Sequence, residues 1–312
     1  MTARRAVEIP ATLAAVAQRG DDWAAWVGGL PALAARLLEE WELRHDGDAT
    51  HGFTALVLPV TTRDRRRAAL KIAFPDEETE HEALALQHWH GRGAVRLIRA
   101  NPRLRALLLE QLLPVDLMDQ WDVRACEIVG GLYRRLHVEA PPQLRPLSRY
   151  AAALAERLAA LPRGVPLPPR LVDQARSLAI AFAEDDGCDG RLIHGDLHYG
   201  NVLAAVAGTP GEETGEWKAI DPKPLSGDPH YEVAPLLVNR YDELAGRVRD
   251  GVRERFFAAV DAGELDEQRA RGWVVVRAMD LAAQRLAEPG PRATSDHDWL
   301  TRCVAIAKAV QD

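Results

Sequence analysis

Apolar positions along the chain follow three successive patterns. Over the first forty residues they recur at helical spacing: Trp23, Trp26, Leu30, Leu33, Leu37 and Leu38, with Trp41 after them. That period predicts helices over 7–19 and 22–41, with Pro31 as a candidate break and the tryptophans as packing residues. From Trp41 the period shortens. WELRHDGDATHGFTALVLPVTT holds short apolar runs about a polar, glycine-containing stretch at 46–52, which predicts two strands joined in a hairpin. Further strands are predicted at 67–73, 94–98 and 106–109, giving an antiparallel sheet of about five. Within this region PDEETEHEALALQHWH, residues 75–90, predicts a helix, with Pro75 and acids in its first turn. Beyond residue 119 helical spacing dominates, over 119–138, 147–161, 170–184, 237–250, 252–262, 267–288 and 297–310. Pro162–Pro169 reads as a linker, Pro289-Gly290-Pro291 separates the last two helices, and no repeat is visible.

Composition narrows the class of protein. A chain of 312 residues with 47% hydrophobic and 27% charged residues suits a soluble globular protein of one large or two modest domains. The net charge of −7 argues against nucleic acid as a partner. Cys126, Cys188 and Cys303 are odd in number and widely spaced, so neither a disulfide framework nor a zinc site is expected. Arg4 and Arg5 precede a weakly apolar stretch, but Glu8 and Pro10 interrupt any signal-peptide core, and no segment approaches 18 uninterrupted apolar residues. A cytoplasmic protein with no membrane association and no protein partner is the expectation.

The chemistry concentrates in RLIHGDLHYGNVL, residues 191–203. The apolar pair Leu192 and Ile193 leads into His194-Gly195-Asp196, and Asn201 follows five positions after Asp196. Trp217-Lys218-Ala219-Ile220 then reads as a short buried strand ending in Asp221-Pro222. A lone Asp in a loop is usually a cap or turn residue. Here a carboxylate, a carboxamide and a strand-borne carboxylate recur together, and these are hard oxygen ligands of the kind Mg²⁺ prefers. Lys71 adds a second signal. A lysine within an apolar strand either faces solvent or is a buried charge in need of a partner, and the acidic helix after it favours the second. Glu82, just before Ala83-Leu84, is the chosen partner, with Glu78 one turn earlier as the fallback. Gly47 and Gly52 suit either a loop over phosphates or an ordinary hairpin with a DG turn.

The HGDxxxxN…DP arrangement resembles the protein-kinase-like phosphotransferases. From Lys71 to about Arg240 the chain is similar to the aminoglycoside phosphotransferases, most of all to the streptomycin 6-phosphotransferase and hydroxyurea-resistance kinase family. The likeness is carried by GRGAVRLI at 91–98, LYRRLH at 132–137, HGDLHYGNVL at 194–203 and AIDPKPLSGDPHYEVAPLLVNR at 219–240. It implies an α+β, protein-kinase-like two-lobe fold. Residues 1–112 would form a nucleotide-binding lobe of antiparallel sheet plus helix, and 113–312 a mostly helical lobe with the catalytic loop and acceptor site.

The resemblance also implies roles. Asp196 would be the catalytic base toward a substrate hydroxyl. Asn201 and Asp221 would hold Mg²⁺ on the phosphates of ATP, bound between the lobes. Lys71, with Glu82, would position the α- and β-phosphates, and Glu110, Gln111 and Leu112 would form the hinge beside the adenine. His194 is read as support for the loop. His198, Tyr199, Asp228 and Glu232 are candidate acceptor contacts, with a structural role favoured for Asp228. Streptomycin is the leading acceptor, in an antibiotic-resistance reaction, and a cationic small molecule would suit an acidic cleft. The alternatives are an amino sugar or hydroxyurea-like metabolite, or a nucleotide-binding regulator with a dead site. The intact Lys71, Asp196, Asn201 and Asp221 count against the last. A protein substrate is disfavoured, because only a short proline-rich loop follows Asp221.

Overall fold

The computed structural model describes residues 7–206, 215–288 and 294–311. The chain divides into two compact units after Leu113, and residues 205–206 and 215–216 group with the first unit although they follow residues 191–203 in sequence. The 289–291 separator and the Arg4-Arg5 pair lie outside the described residues.

The first unit is a six-stranded antiparallel sheet with helices. A short α1 (Ala11–Ala14) runs through a 3₁₀ turn, Ala15–Arg19, into α2 (Asp21–Glu40). The sheet then takes β1 (Arg44–His45), β2 (Thr50–His51), β3 (Ala55–Thr61) and β4 (Arg67–Ala73). After α3 (Glu82–Trp89) come β5 (Leu97–Asn101) and β6 (Ala106–Glu110). Strand order is β1-β3-β4-β6-β5, with β2 also on β3. Alternation of side chains sets the two faces. Leu56, Leu58, Val60, Ala68, Leu70, Ile72, Ala106 and Leu108 share a core with Leu13, Leu30, Ala34 and Leu37 of the N-terminal helices. Lys71 is out of phase with that set and opposes Val57 on one side and Leu107 on the other.

Several local expectations are corrected here. Pro31 does not break α2, which runs through it. Leu30, Ala34 and Leu37 are fully buried on either side, and that packing offsets the missing hydrogen bond. The predicted hairpin turn moves from 46–52 to 52–54, where the Gly52 N–H donates to the Ala55 carbonyl. Residues 46–49 instead interrupt the outer strand, with Gly47 at φ 151° and Asp46 accepting a hydrogen bond from Thr61. The helix expected from Pro75 begins only at Glu82. Thr79 donates from its backbone N–H to Asp76 and from its hydroxyl to the Phe74 carbonyl, both at 2.8 Å, and such local bonds compete with a helix. The strand expected at 94–98 lies at 97–101, with a register shift between Leu97 and Arg99.

The second unit is mostly helical: α4 (Asp122–Leu136), α5 (Leu147–Ala159) and α6 (Pro169–Glu184), then α7 (Ala234–Val238), α8 (Val248–Gly263), α9 (Glu267–Ala287) and α10 (Thr294–Ala309). Between α6 and α7 lie two small antiparallel pairs. They are β7 (Arg191–Ile193) with β10 (Leu225–Gly227), and β8 (Val202–Ala204) with β9 (Trp217–Ala219). The helix expected over 237–250 is broken. Arg240 takes a left-handed conformation and sends its guanidinium to the Leu117 and Gln120 carbonyls. The Asn239 and Arg240 carbonyls face the buried Arg255 instead of a continuing helix. No helix among the described residues is long and apolar enough to cross a membrane.

Helices α4 and α8 approach closely at Gly130, where an added Cβ would stand 2.7 Å from the Ala259 carbonyl oxygen and 2.8 Å from Ala262 Cβ. Gly131, its neighbour, has open space around that position. Gly130→Ala is therefore expected to destabilise the protein by about 1–3 kcal/mol through overpacking. Gly131→Ala should be neutral or stabilising by about 0.5–1 kcal/mol, because helical Gly costs that much relative to Ala. Urea unfolding of the two variants checks the contrast, and equal effects would contradict it.

Candidate active site

The site is built at the ends of the two small strand pairs of the second unit. Strand β7 carries the chain into His194-Gly195-Asp196. His194 is fully buried, and its Nε2–H donates to the Ile220 carbonyl at 2.9 Å while Nδ1 accepts the Asp196 backbone N–H at 3.3 Å. Burial lowers its pKa, which keeps the ring neutral and able to both donate and accept. His194 thus ties the loop to the strand that delivers Asp221.

Gly195 sits at φ 84°, and a Cβ there would fall 2.3 Å from the Lys223 carbonyl oxygen. Only glycine fits both constraints. The Gly195 N–H donates to Glu232 Oε1 at 2.5 Å. The other Glu232 oxygen accepts from His137 Nε2 at 2.8 Å, and the Glu232 carbonyl accepts from the Tyr133 hydroxyl at 2.9 Å. Glu232 is fully buried. Its carboxylate therefore fastens the end of α4 and the 3₁₀ turn 229–233 to the loop.

The loop continues through a 3₁₀ turn, Tyr199–Asn201. Asn201 Nδ2 donates to the Asp196 carbonyl at 2.9 Å, and the Asn201 carbonyl accepts the Ile220 N–H at 2.9 Å. In the β8–β9 register Val202 opposes Ala219, so Asn201 and Asp221 emerge at the same end of one hairpin. Asp221 has φ 57°, a left-handed turn that ends the strand. Asp196, Asn201 and Asp221 are all half-buried.

Lys71 and Glu82 meet within the first unit. Lys71 Nζ lies 2.6 Å from Glu82 Oε1, and both side chains are buried. Glu78, the fallback, is exposed in the turn before α3. Glu110 is the last residue of β6. Its backbone N–H donates to the Arg96 carbonyl and its Oε1 accepts the Arg96 N–H at 2.7 Å, while Gln111 and Leu112 follow outside regular structure.

Of the four candidate acceptor contacts, Tyr199, Asp228 and Glu232 are buried and His198 is half-buried. Tyr199 is fully buried, and its hydroxyl donates to the Leu236 carbonyl at 3.1 Å. Asp228 is buried and accepts from the His230 backbone, from Trp273 Nε1 at 2.6 Å and from Arg269. Burial works against its charge, yet the bonds from His230 and Trp273 leave its pKa lowered. Glu232 is enclosed as described. His198 is half-buried, with Nδ1 accepting the Gly200 N–H at 3.2 Å. The polar atoms of Tyr199, Asp228 and Glu232 are engaged inside the unit, because each joins a loop to a helix.

Sequence reading missed Lys223, whose Nζ lies 3.1 Å from Asp196 Oδ2. It also missed Arg277 of α9, which donates to the Gly195 and Tyr231 carbonyls and stacks 4.1 Å from the Tyr231 ring. The Pro-Lys-Pro run was a signal for the first. Arg277 lies amid a helix with no distinguishing spacing.

The profile of the aminoglycoside/hydroxyurea antibiotic resistance kinases matches residues 40–290. The chain belongs to this kinase family. It is 38% identical over 294 residues to a streptomycin 6-kinase of Streptomyces glaucescens, covering 90% of this chain and 92% of that one. It is 43% identical over 284 residues to a hydroxyurea phosphotransferase of Kitasatospora aureofaciens, covering 87% and 78%. Among solved structures, choline kinase LicA from Streptococcus pneumoniae superposes with a TM-score of 0.58 at 12% identity, covering 90% of this chain and 98% of that one. That likeness supports the two-lobe, protein-kinase-like α+β fold. The protein is thus a phosphotransferase acting on small molecules.

The Glu232 anchor generates a pH prediction. Burial raises the pKa of this carboxyl, but the hydrogen bond and charge of His137, helped by the Gly195 N–H, bring it below the ordinary value of 4.5. A folded-state pKa below the unfolded one stabilises the fold above that ordinary value, and the contribution is lost as pH falls through the folded value. Glu232→Gln should be less stable than wild type at pH 7 by about 1–3 kcal/mol. The difference should shrink in acid. Thermal unfolding of both proteins across that range checks it, and a pH-independent difference would contradict the assignment.

Proposed function

We propose that this kinase transfers the γ-phosphoryl group of ATP to the 6-hydroxyl of streptomycin, an antibiotic-resistance reaction. The observation that carries the reading is the convergence of Asp196, Asn201 and Asp221 on two hydrogen-bonded strand ends, in a chain 38% identical over nearly its whole length to a streptomycin 6-kinase. Asp196 is the base: half-exposed at the loop tip, its carboxylate accepts the proton of the attacking hydroxyl. The bond from the acceptor oxygen to the γ-phosphorus then forms in line as the bond to the β-phosphate oxygen breaks and ADP leaves. Lys71, held by Glu82, steadies the α- and β-phosphates, with the segment Glu110–Leu112 beside the adenine.

Asn201 and Asp221 fit Mg²⁺ as a donor set. They offer a carboxamide and a carboxylate oxygen at one hairpin end, leaving most coordination positions to phosphate oxygens and water, as Mg²⁺ sites commonly do. When bound, such an ion would neutralise phosphate charge. His194 and the Ile220–Asn201 bond keep its two ligands oriented.

A second reading, phosphorylation of a hydroxyurea-like acceptor, has two supports. One is the 43% identity to a hydroxyurea phosphotransferase. The other is that the buried carboxylates Glu232, Asp228 and Asp280 are bonded internally, Asp280 to Tyr150, Arg157 and Gln284, and so add nothing to an acidic ring for a polycation.

ATP-dependent transfer to streptomycin, other aminoglycosides, glucosamine and hydroxyurea discriminates these readings. Streptomycin is expected to be turned over. Asp196→Ala should lower turnover about 10²–10⁴-fold, the size of a general-base contribution. Asp221→Ala should abolish Mg²⁺-dependent activity. Near-wild-type turnover in Asp196→Ala, or activity retained in Asp221→Ala, would remove the corresponding role.

A further inference from the structure

Lys223 has a more constrained position than a surface cation needs. Its backbone N–H donates to the His194 carbonyl at 2.8 Å, and its own carbonyl oxygen presses on Gly195, which is why no side chain fits there. Pro222 and Pro224, both buried, fix the backbone on either side. Asp221 turns through a left-handed conformation to start this segment. The result is one ammonium, 40% exposed, standing 3.1 Å from the Asp196 carboxylate, which is 27% exposed. An ion pair open to solvent to that degree adds at most about 1 kcal/mol to stability. Stability is therefore a weak reason for so much local construction.

We propose that Lys223 is a catalytic residue of the phosphoryl transfer, placing its ammonium on the oxygens of the transferring phosphoryl group beside Asp196. The inference rests on the reading of Asp196 as the base. A base works within about 3 Å of the hydroxyl it deprotonates. A cation 3.1 Å from that base then lies within about 6 Å of the attacking oxygen, the neighbourhood of the phosphoryl oxygens. The step balances without further reactants: the hydroxyl proton goes to Asp196, the new O–P bond forms, the bond to ADP breaks, and Lys223 stays protonated throughout. Its charge counters the negative charge spread over the phosphoryl oxygens in the transition state. Before the acceptor binds, the same charge holds the Asp196 carboxylate at the loop tip. Arg277 donates to the Gly195 carbonyl and so braces the loop through its backbone.

The test compares full-length wild type, Asp196→Asn, Lys223→Ala and Lys223→Arg. Each is assayed for transfer to streptomycin and for ATP hydrolysis to water, which needs no acceptor. Lys223→Ala is expected to lose about 10²–10³-fold in kcat, with KM for ATP and acceptor within about threefold, as for an interaction made only in the transition state. Lys223→Arg should retain part of the activity, and added ethylammonium should restore part of it to Lys223→Ala. The thermal midpoint should move by no more than about 4 °C. Rescue by the amine is a readout that a purely structural role would not move. A kcat for Lys223→Ala within about threefold of wild type, or a loss that no amine or Arg recovers, overturns the proposal. Wild-type ATP turnover that Asp196→Asn leaves intact would remove the Asp196 reading itself. Turnover lost in Asp196→Asn but kept in Lys223→Ala removes Lys223 alone.

Discussion

A single buried carboxylate organises the loop that carries Asp196 in the second unit. An ion as enclosed as Glu232 is tolerated only when its oxygens are satisfied. Here one oxygen takes the Gly195 N–H and the other takes His137, while the same residue's carbonyl takes Tyr133. Three segments far apart in sequence meet at this point: the end of α4, the loop after β7 and the 3₁₀ turn before α7. Gly195 can lie against the Lys223 carbonyl only because it has no side chain. The loop is therefore clamped between a carboxylate on one side and a proline-bounded segment on the other, and Asp196 stands at its tip.

Around that clamp, the remaining chemistry is delivered by backbone pairing. His194 reaches across to the Ile220 carbonyl, Ile220 reaches back to the Asn201 carbonyl, and Asn201 holds the Asp196 carbonyl. Each bond joins two positions to which the proposed mechanism gives a function or a supporting role. Such a ring limits how far base and metal ligands can drift, and phosphoryl transfer depends on positioning more than on covalent help. In the first unit the same economy appears once, where the phase of β4 turns Lys71 away from the helix-covered core and toward Glu82.

Much of this was legible in the sequence, and the reasons are physical. The kinase family and its α+β fold followed from the resemblance carried by HGDLHYGNVL and AIDPKPLSGDP, and the meeting of Lys71 with Glu82 from a lysine in an apolar strand with an acidic helix beyond it. The loop was legible as a turn because backbone geometry restricts which residue can stand at Gly195. The role of Glu232 was not legible. An acid beside apolar residues reads equally as a ligand contact or a buried anchor, and only the positions of His137 and Gly195 decide. The late start of α3 was hidden because Asp76 and Thr79 bond locally, which composition does not reveal. The break after Val238 was hidden because its cause, Arg255 bonding the Asn239 and Arg240 carbonyls, lies some fifteen residues along the chain.

In the proposed mechanism Asp196 acts as a base in one direct displacement and is never itself phosphorylated. The stereochemical course at phosphorus tests this most directly. With ATP made chiral at the γ-phosphorus by oxygen isotopes, a single in-line transfer to the acceptor hydroxyl inverts the configuration, and inversion is the predicted result. Retention would require two displacements through a phosphorylated enzyme group, and it would contradict the account.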